Sequence, residues 1–452
     1  MEIAAAGFNF VRIPIGFWAV ETEPGEPYLE GVSWTYFLKA IEWARKYGLR
    51  INLDLHAVPG SQNGWNHSGR LFSAPLEGAS FLYGQMGIAN AQRTLNVIRT
   101  LTQFIMQDQY KDVIPMFGIL NEPFSPILGR GPIFAFYTEV YDMIRGITGV
   151  GEGKGPWIVF RRSPPPLSIS AARPRLMTPP TIADDAMMGM GAWNGFLENS
   201  DRVSLDNHPY FAFDTPPHTE ALSAFPAMAC NNWGGQFNTS FREFGLTQGG
   251  EFSFAINDCG LWVTNVDEGT RYEGTYPGFT RSYGSCDQWT DATDWDADRK
   301  EGFKNFIMAG MDATTNYFFW TCVAPCLLCR AVVSRSTPAD DPPLRPASWK
   351  IGASTQFSHP VNPMWNYQQG LKDGYAPTDP READGYCASI GIRNSNWDGT
   401  LDSWMTGGAG AGVGVVTTAP WPPASMSSVN AAQMTQIPQL TQTGTPVTLA
   451  GP

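Results

Sequence analysis

From Phe8 to Trp320, short apolar runs of strand length take turns with longer stretches whose apolar positions recur every three or four residues. The first run is Phe8 to Ile15. Trp34, Phe37, Leu38, Ile41 and Ala44 then share a helical face behind Ser33, the expected N-cap, and Gly48 is expected to stop that helix. Ile51, Leu53 and Leu55 alternate in RINLDLH, which predicts a strand closing on His56. A Gly/Asn/Ser-rich loop follows, then a helical pattern through Leu95, Ile98, Leu101 and Ile105. The apolar run Val113 to Leu120 predicts a buried strand that breaks off at Asn121, Glu122 and Pro123. A helix is expected from Ile133 to Ile147, strands at Trp157 to Phe160, Arg202 to Asn207 and Gly245 to Phe252, a helix around Phe303 to Met311, and a last strand at Asn316 to Trp320.

Strand and helix alternate, which predicts an α/β fold with a parallel sheet, and the seven strand candidates suit a (β/α)8 TIM barrel. The eighth strand belongs before Phe8, so the barrel is expected to lack its first strand in this chain. Two Pro- and Arg-rich segments, 161–181 and 322–348, keep neither period and are read as irregular insertions. Residues 1–400 are taken as the barrel domain and 401–452, rich in Gly and then Thr, Pro, Ser and Gln, as a low-complexity, unstructured tail.

Composition narrows the chemistry. The chain has 452 residues, 43% of them hydrophobic, which allows a sizeable core, and a net charge of -12 with no basic stripe, which excludes a nucleic-acid partner. Aromatic residues make up 13%, with 16 Trp, and flat rings suit sugars as well as core packing. Seven cysteines suggest a few disulfides. Cys322, Cys326 and Cys329 lack a fourth ligand nearby, so no metal site is expected. Asn66-His67-Ser68 and Asn238-Thr239-Ser240 are glycosylation sequons. No signal peptide and no membrane-length apolar span is visible.

Glu122 ends one predicted strand, and Glu251, after Gly249-Gly250, ends another. Two strand-end carboxylates in one barrel mouth can act as acid/base and nucleophile in glycoside cleavage, either retaining or inverting according to their separation. From the residues alone, His208 reads first as a satisfied core histidine, and Tyr210 and Trp320 as packing residues, since aromatic side chains are more often core than ligand.

The segments GFNFVRIPIGFW, LDLHAVPGSQNGWNHSG, GILNEP, LDNHPYFAF, GEFSFAINDCGLWV, GTRYEGTY and NYFFWT, in this order from Gly7 to about Cys387, resemble the fungal exo-β-1,3-glucanases of glycoside hydrolase family 5. The resemblance implies a (β/α)8 barrel and a retaining enzyme, without cofactor, that releases glucose from the non-reducing end of β-1,3-glucan. It implies Glu122 as acid/base and Glu251 as nucleophile. It further implies Arg12 holding the nucleophile charged, Asn121 on the sugar 2-OH, and His56, His208 and Tyr210 lining the cleavage subsite. Trp320 is then the floor under the sugar, while Trp65 and Phe213 clamp the next sugar. Cys259, Cys286, Cys230 and Cys387 match family cysteines; the expected pairs are Cys259–Cys286 and Cys230–Cys387. A monomer outside the cell or in the cell wall, acting on β-1,3-glucan or its oligosaccharides, is expected. A related β-glycanase, a transglycosylase and a non-catalytic glucan-binding product are the other readings.

The sequence departs from the family pattern at both ends of the barrel. The family has a signal peptide and a first strand ahead of the point where this chain starts, so the chain reads as truncated. Deleting 322–348 would rejoin FFWT to WKIG and restore the family's last strand, so that segment is either a translated intron or an inserted loop.

Overall fold

The computed structural model describes residues 2–70, 80–161, 190–266, 268–321, 332–335, 362–393, 397–415, 419–427, 429 and 434. Seven parallel strands follow one another in chain order: β1 (Phe10–Gly16), β2 (Arg50–Ala57), β3 (Met116–Gly118), β4 (Trp157–Arg161), β5 (Val203–Asn207), β6 (Thr247–Phe252) and β7 (Tyr317–Phe319). Helices Val32–Lys46, Gly87–Ile105, Arg130–Thr148, Gly234–Glu243 and Ala297–Thr314 occupy crossovers between them. This is the expected (β/α)8-type architecture.

An eighth strand, β8 (Val332–Arg335), runs antiparallel to both β7 and β1 and closes the ring. Among the described residues no strand precedes β1, as expected, and residues 332–335 of the segment read as an irregular insertion occupy the gap between β7 and β1 as an antiparallel strand. The reason is that β1 and β7 would otherwise each present a row of unpaired N–H and C=O groups, which any nearby extended segment can satisfy. The rest of that segment and 162–189 lie outside the described residues. Arg161, expected to open the other insertion, is instead the last residue of β4.

Alternation places the site. In β2, Ile51, Leu53 and Leu55 are fully buried in the core between sheet and helices, while Asn52, Asp54 and His56 take the opposite, barrel-interior face. The helix from Val32 starts behind Gly31, at φ 72°, rather than behind Ser33, which sits inside its first turn without a capping bond. Of the apolar run from Val113 to Leu120, Met116–Gly118 form the strand, backbone bonds to the neighbouring strands continue to Asn121, whose N–H donates to Leu55 O at 3.2 Å, and Glu122, at φ 43°, then turns the chain.

The start of the expected tail is packed against the end of the barrel opposite the strand C-termini. Arg202 N–H donates to Met405 O (2.8 Å), Glu152 N–H to Gly407 O (2.9 Å), and Gly412 N–H to Asn199 O (2.9 Å). Disulfides join Cys230 to Cys387 and Cys259 to Cys286. Among the described residues, no helix is long and apolar enough to cross a membrane.

Candidate active site

The C-terminal ends of the strands converge on two carboxylates. Glu251, the penultimate residue of β6, accepts from Arg12 Nη1 at 2.5 Å on Oε1 and from Tyr210 Oη at 2.9 Å on Oε2. Glu122, four residues past β3, has Oε1 at 2.8 Å from His208 Nδ1 and 3.2 Å from Arg161 Nη2, and Oε2 at 3.2 Å from His67 Nε2. His208 Nδ1 also lies 3.3 Å from Glu251 Oε2, so one imidazole bridges the two acids. Ligating atoms of Glu122, His208 and Glu251 lie within 4.8 Å of one another. Such a trio has the spread of a cation site. Yet Arg12 on one carboxylate and Arg161 on the other set two guanidinium charges against any metal ion there.

A buried charge network supports Glu251. Arg12 is 1% exposed and reaches Asp54 Oδ2 (2.9 Å) and Asn121 Oδ1 (2.7 Å) as well as Glu251. Burial disfavours its charge, but Asp54, Glu251 and Asp206 more than offset this and hold it above the ordinary arginine value. Burial likewise raises the Asp54 carboxyl, and Arg12 with His56 brings it below the usual range. His56 is lowered by burial despite its Asp54 partner, so the ring is neutral, with Nδ1–H on Asp54 (2.7 Å) and Nε2 facing Asn121 Nδ2 (3.4 Å). Burial also pushes the Tyr210 hydroxyl well above its ordinary value, helped by Glu251 and Glu122, so it stays a donor.

Glu122 is balanced differently. Burial raises its carboxyl, but donation from His208 and then His67, when those rings are charged, holds it well below the usual range. Its backbone, in the left-handed region, is a strain of about 1–3 kcal/mol. The Asn63 side chain, donating from Nδ2 to Glu122 O at 3.0 Å, helps to hold it.

Around this pair the aromatic residues form walls. Trp320 is parallel to His56 (5.8 Å, 5°), lies under the Arg12 guanidinium (5.8 Å), and precedes a cis peptide bond to Thr321. Phe213 packs on Tyr210 (5.5 Å) and on Trp365 (6.0 Å). Trp65 is half-buried on the β2 loop, and among the described residues no ring contact joins it to Phe213.

The surroundings match known proteins. The chain is 32% identical over 400 residues to the probable glucan 1,3-beta-glucosidase D of Aspergillus niger, covering 83% of this chain and 39% of that one. It is 33% identical over 410 residues to the protein of the same name from Aspergillus terreus, covering 85% of this chain and 40% of that one. The chain is a homologue of these fungal proteins. It spans about two fifths of the length of these curated relatives. No protein-family model matches the chain. Among solved structures, AoRut shares the fold, with TM-score 0.50 and 14% identity over 83% of this chain and 79% of that one.

Of the ten site residues expected from sequence, Arg12, His56, Asn121, Glu122, His208, Tyr210, Phe213, Glu251 and Trp320 are brought into one bonded or stacked cluster in this homologue of the fungal glucosidases, and Trp65 stands on the loop beside it. Sequence reading missed Asp54, Asn63, His67, Arg161, Asp206 and Trp365. Two of these had a signal. Asp54-Leu55-His56 and Asp206-Asn207-His208 are the same Asp-x-His pattern, and a period of two puts both polar members on one face of a strand. Trp365 lies far along the chain from Tyr210, which it packs against at 5.1 Å, and no local pattern announces that contact.

Proposed function

We propose that this chain is a retaining exo-β-1,3-glucanase acting outside the cell as a monomer, with Glu122 as acid/base and Glu251 as nucleophile. The observation that carries the reading is the close approach of the two acids, both reached by one His208 Nδ1 and each with an oxygen within 4.8 Å of the other's. Retaining glycosidases hold their carboxyls about 5–5.5 Å apart, and inverting ones need about 6.5–9.5 Å to admit a water. The unequal partners suit the two roles. Arg12 and Tyr210 both stabilise an ionised Glu251, as a nucleophile requires, while Glu122 faces groups that can exchange protons with it.

In the first step Glu251 attacks the anomeric carbon as the glycosidic C–O bond breaks, and the departing oxygen takes the proton of Glu122. In the second, water attacks the same carbon, gives its proton to Glu122, and Glu251 leaves as a carboxylate. Asn121, fixed by Arg12 on Oδ1, keeps Nδ2 for the 2-OH of the sugar, and Trp320 supplies a flat floor beneath it. The β-1,3 linkage and release of glucose from the chain end rest on the homologues' names and on the motif resemblance. Two disulfides fit an oxidising compartment.

Incubation with laminarin tests this reading. Glucose should appear as the first product in its β-anomeric form, and Glu251→Gln should lower the rate by on the order of 10³-fold or more. Release of α-glucose, or undiminished hydrolysis by the variant, would contradict it. Binding of insoluble glucan without any sugar release would favour a non-catalytic glucan-binding role.

A further inference from the structure

Trp365 reaches the site from far along the chain, on the short turn Pro363–Trp365, and lies outside the segments that carry the family resemblance. Its backbone is fixed from two sides. Asn362 caps the turn through Oδ1, which accepts from Met364 N–H at 2.8 Å, and its Nδ2 donates to Cys259 O on the loop after β6. On the other side Thr321 N–H donates to Trp365 O at 3.1 Å, and Tyr367 N–H donates to Thr321 O at 3.1 Å, so the turn is tied to the residue that follows Trp320. A ring carried on a turn anchored in this way is a fixed support.

That support meets Tyr210. The Trp365 ring lies 5.1 Å from the Tyr210 ring at a tilt of 42°, and 6.0 Å from Phe213, which stands edge-on to Tyr210 at 5.5 Å. Tyr210 Oη donates to Glu251 Oε2 at 2.9 Å. The direction of that O–H follows from where the ring is packed, and a hydrogen bond weakens steeply as its angle closes. The other rings against Tyr210 are Phe213 and, at 6.5 Å, His208, both on its own stretch of chain; among the described residues Trp365 is the ring partner that comes from another element. Arg271 donates to Phe213 O at 3.1 Å and lies over the Phe213 ring at 5.7 Å, which fixes the loop backbone and leaves the Tyr210 ring to Trp365. We propose that Trp365 is a positioning residue for the nucleophile, its ring holding Tyr210 in the orientation from which the hydroxyl donates to Glu251. The proposal rests on Glu251 being the nucleophile.

The bond matters because each oxygen of Glu251 has its own holder. Arg12 Nη1 holds Oε1 and Tyr210 Oη holds Oε2. His208 Nδ1 also lies 3.3 Å from Oε2, but it sits closer to Glu122 Oε1, at 2.8 Å, and does not replace the phenol. With the phenol displaced, the carboxylate is free to turn about its last bond, and a misplacement of about 1 Å set off at a distance can cost about 10²-fold in rate. Trp365 is half-buried, so replacing it opens less of the core than loss of a fully buried ring would.

A double-mutant cycle in the full chain, with an aryl β-glucoside as substrate, tests this. Trp365→Ala should lower kcat by roughly 30-fold with KM within about threefold, because the bond it supports is to the nucleophile. Added to Tyr210→Phe, the same change should cost less than about threefold more. Trp365→Phe, which keeps a ring against Tyr210, should recover most of the loss. Independent losses in the cycle, a rise in KM alone, or a Phe variant no better than the Ala one would each overturn the proposal. A second arm needs no turnover. In the chain carrying tyrosine labelled with ¹³C at Cζ, the resonance that Tyr210→Phe removes should move in Trp365→Ala toward that of a free tyrosine side chain, while the remaining tyrosine resonances show that the fold is kept. An unmoved Tyr210 resonance overturns the proposal. Absence of all glycosidase activity would instead sink the functional reading, and the Tyr210 resonance would still decide this one.

Discussion

Arg12 stands among three carboxylates, touching Asp54 at 2.9 Å and Glu251 at 2.5 Å, with Asp206 acting through space. Replacing it with Met would leave buried acids without their counter-charge, a loss of about 3–5 kcal/mol that urea denaturation should register. An unchanged midpoint would mean that the acids simply take up protons at no cost. Gly250 is a second sensitive position. A Cβ built there would fall 1.9 Å from Asp206 Oδ1. Gly250→Ala should therefore destabilise by about 1–3 kcal/mol and displace Asp206 from His208; wild-type melting and activity would contradict this. At the residue scale Glu122 and Glu251 were readable as carboxylates closing apolar strands, and Arg12 through the motif resemblance. The sequence was not readable where a loop delivers the group. His67 stands within the segment LDLHAVPGSQNGWNHSG, yet only the fold brings it to 3.2 Å from Glu122, and Arg161 looked like the start of an insertion because prolines follow it closely.

The loop after β5 carries Tyr210 and Phe213, and His218 ties it together by bonding Asp214 Oδ2 at 2.9 Å and Glu220 Oε2 at 3.0 Å. The Asp214 bond, over the opposing effect of burial and with help from Glu220, raises the His218 ring above its ordinary value. A raised folded-state value means that the stabilisation is complete below about pH 6.5, the unfolded histidine value, and is lost as pH rises through the folded one. The melting temperature should therefore fall as the solution passes from mildly acidic to mildly alkaline, and His218→Asn should remove that component of the fall. An NMR titration placing His218 at or below the ordinary imidazole value would contradict it. Among the elements, the seven parallel strands were legible because apolar runs and helical faces alternate. β8 was not, since Val332–Arg335 pairs with β1 and β7 through backbone bonds that a Pro- and Arg-rich segment does not advertise.

For the molecule as a whole, the Cys230–Cys387 bridge spans 157 residues and fastens residues near the end of the barrel to a helix ahead of β6. Removing it with paired Cys→Ala changes should cost about 2–5 kcal/mol, read as a lower melting temperature, mainly because the unfolded chain gains freedom. Equal melting temperatures would show that the unfolded chain is already constrained. The barrel brings the two acids together but does not decide their roles. A labelling experiment does so most directly. A 2-fluoro β-glucoside with a good leaving group slows breakdown of a covalent intermediate, and mass spectrometry of the digested protein then identifies the residue that carries the sugar. With Glu251 as the nucleophile of a retaining reaction, one glucosyl unit should appear on the peptide containing Glu251, and a label on Glu122, or turnover with no covalent intermediate at all, would contradict that role.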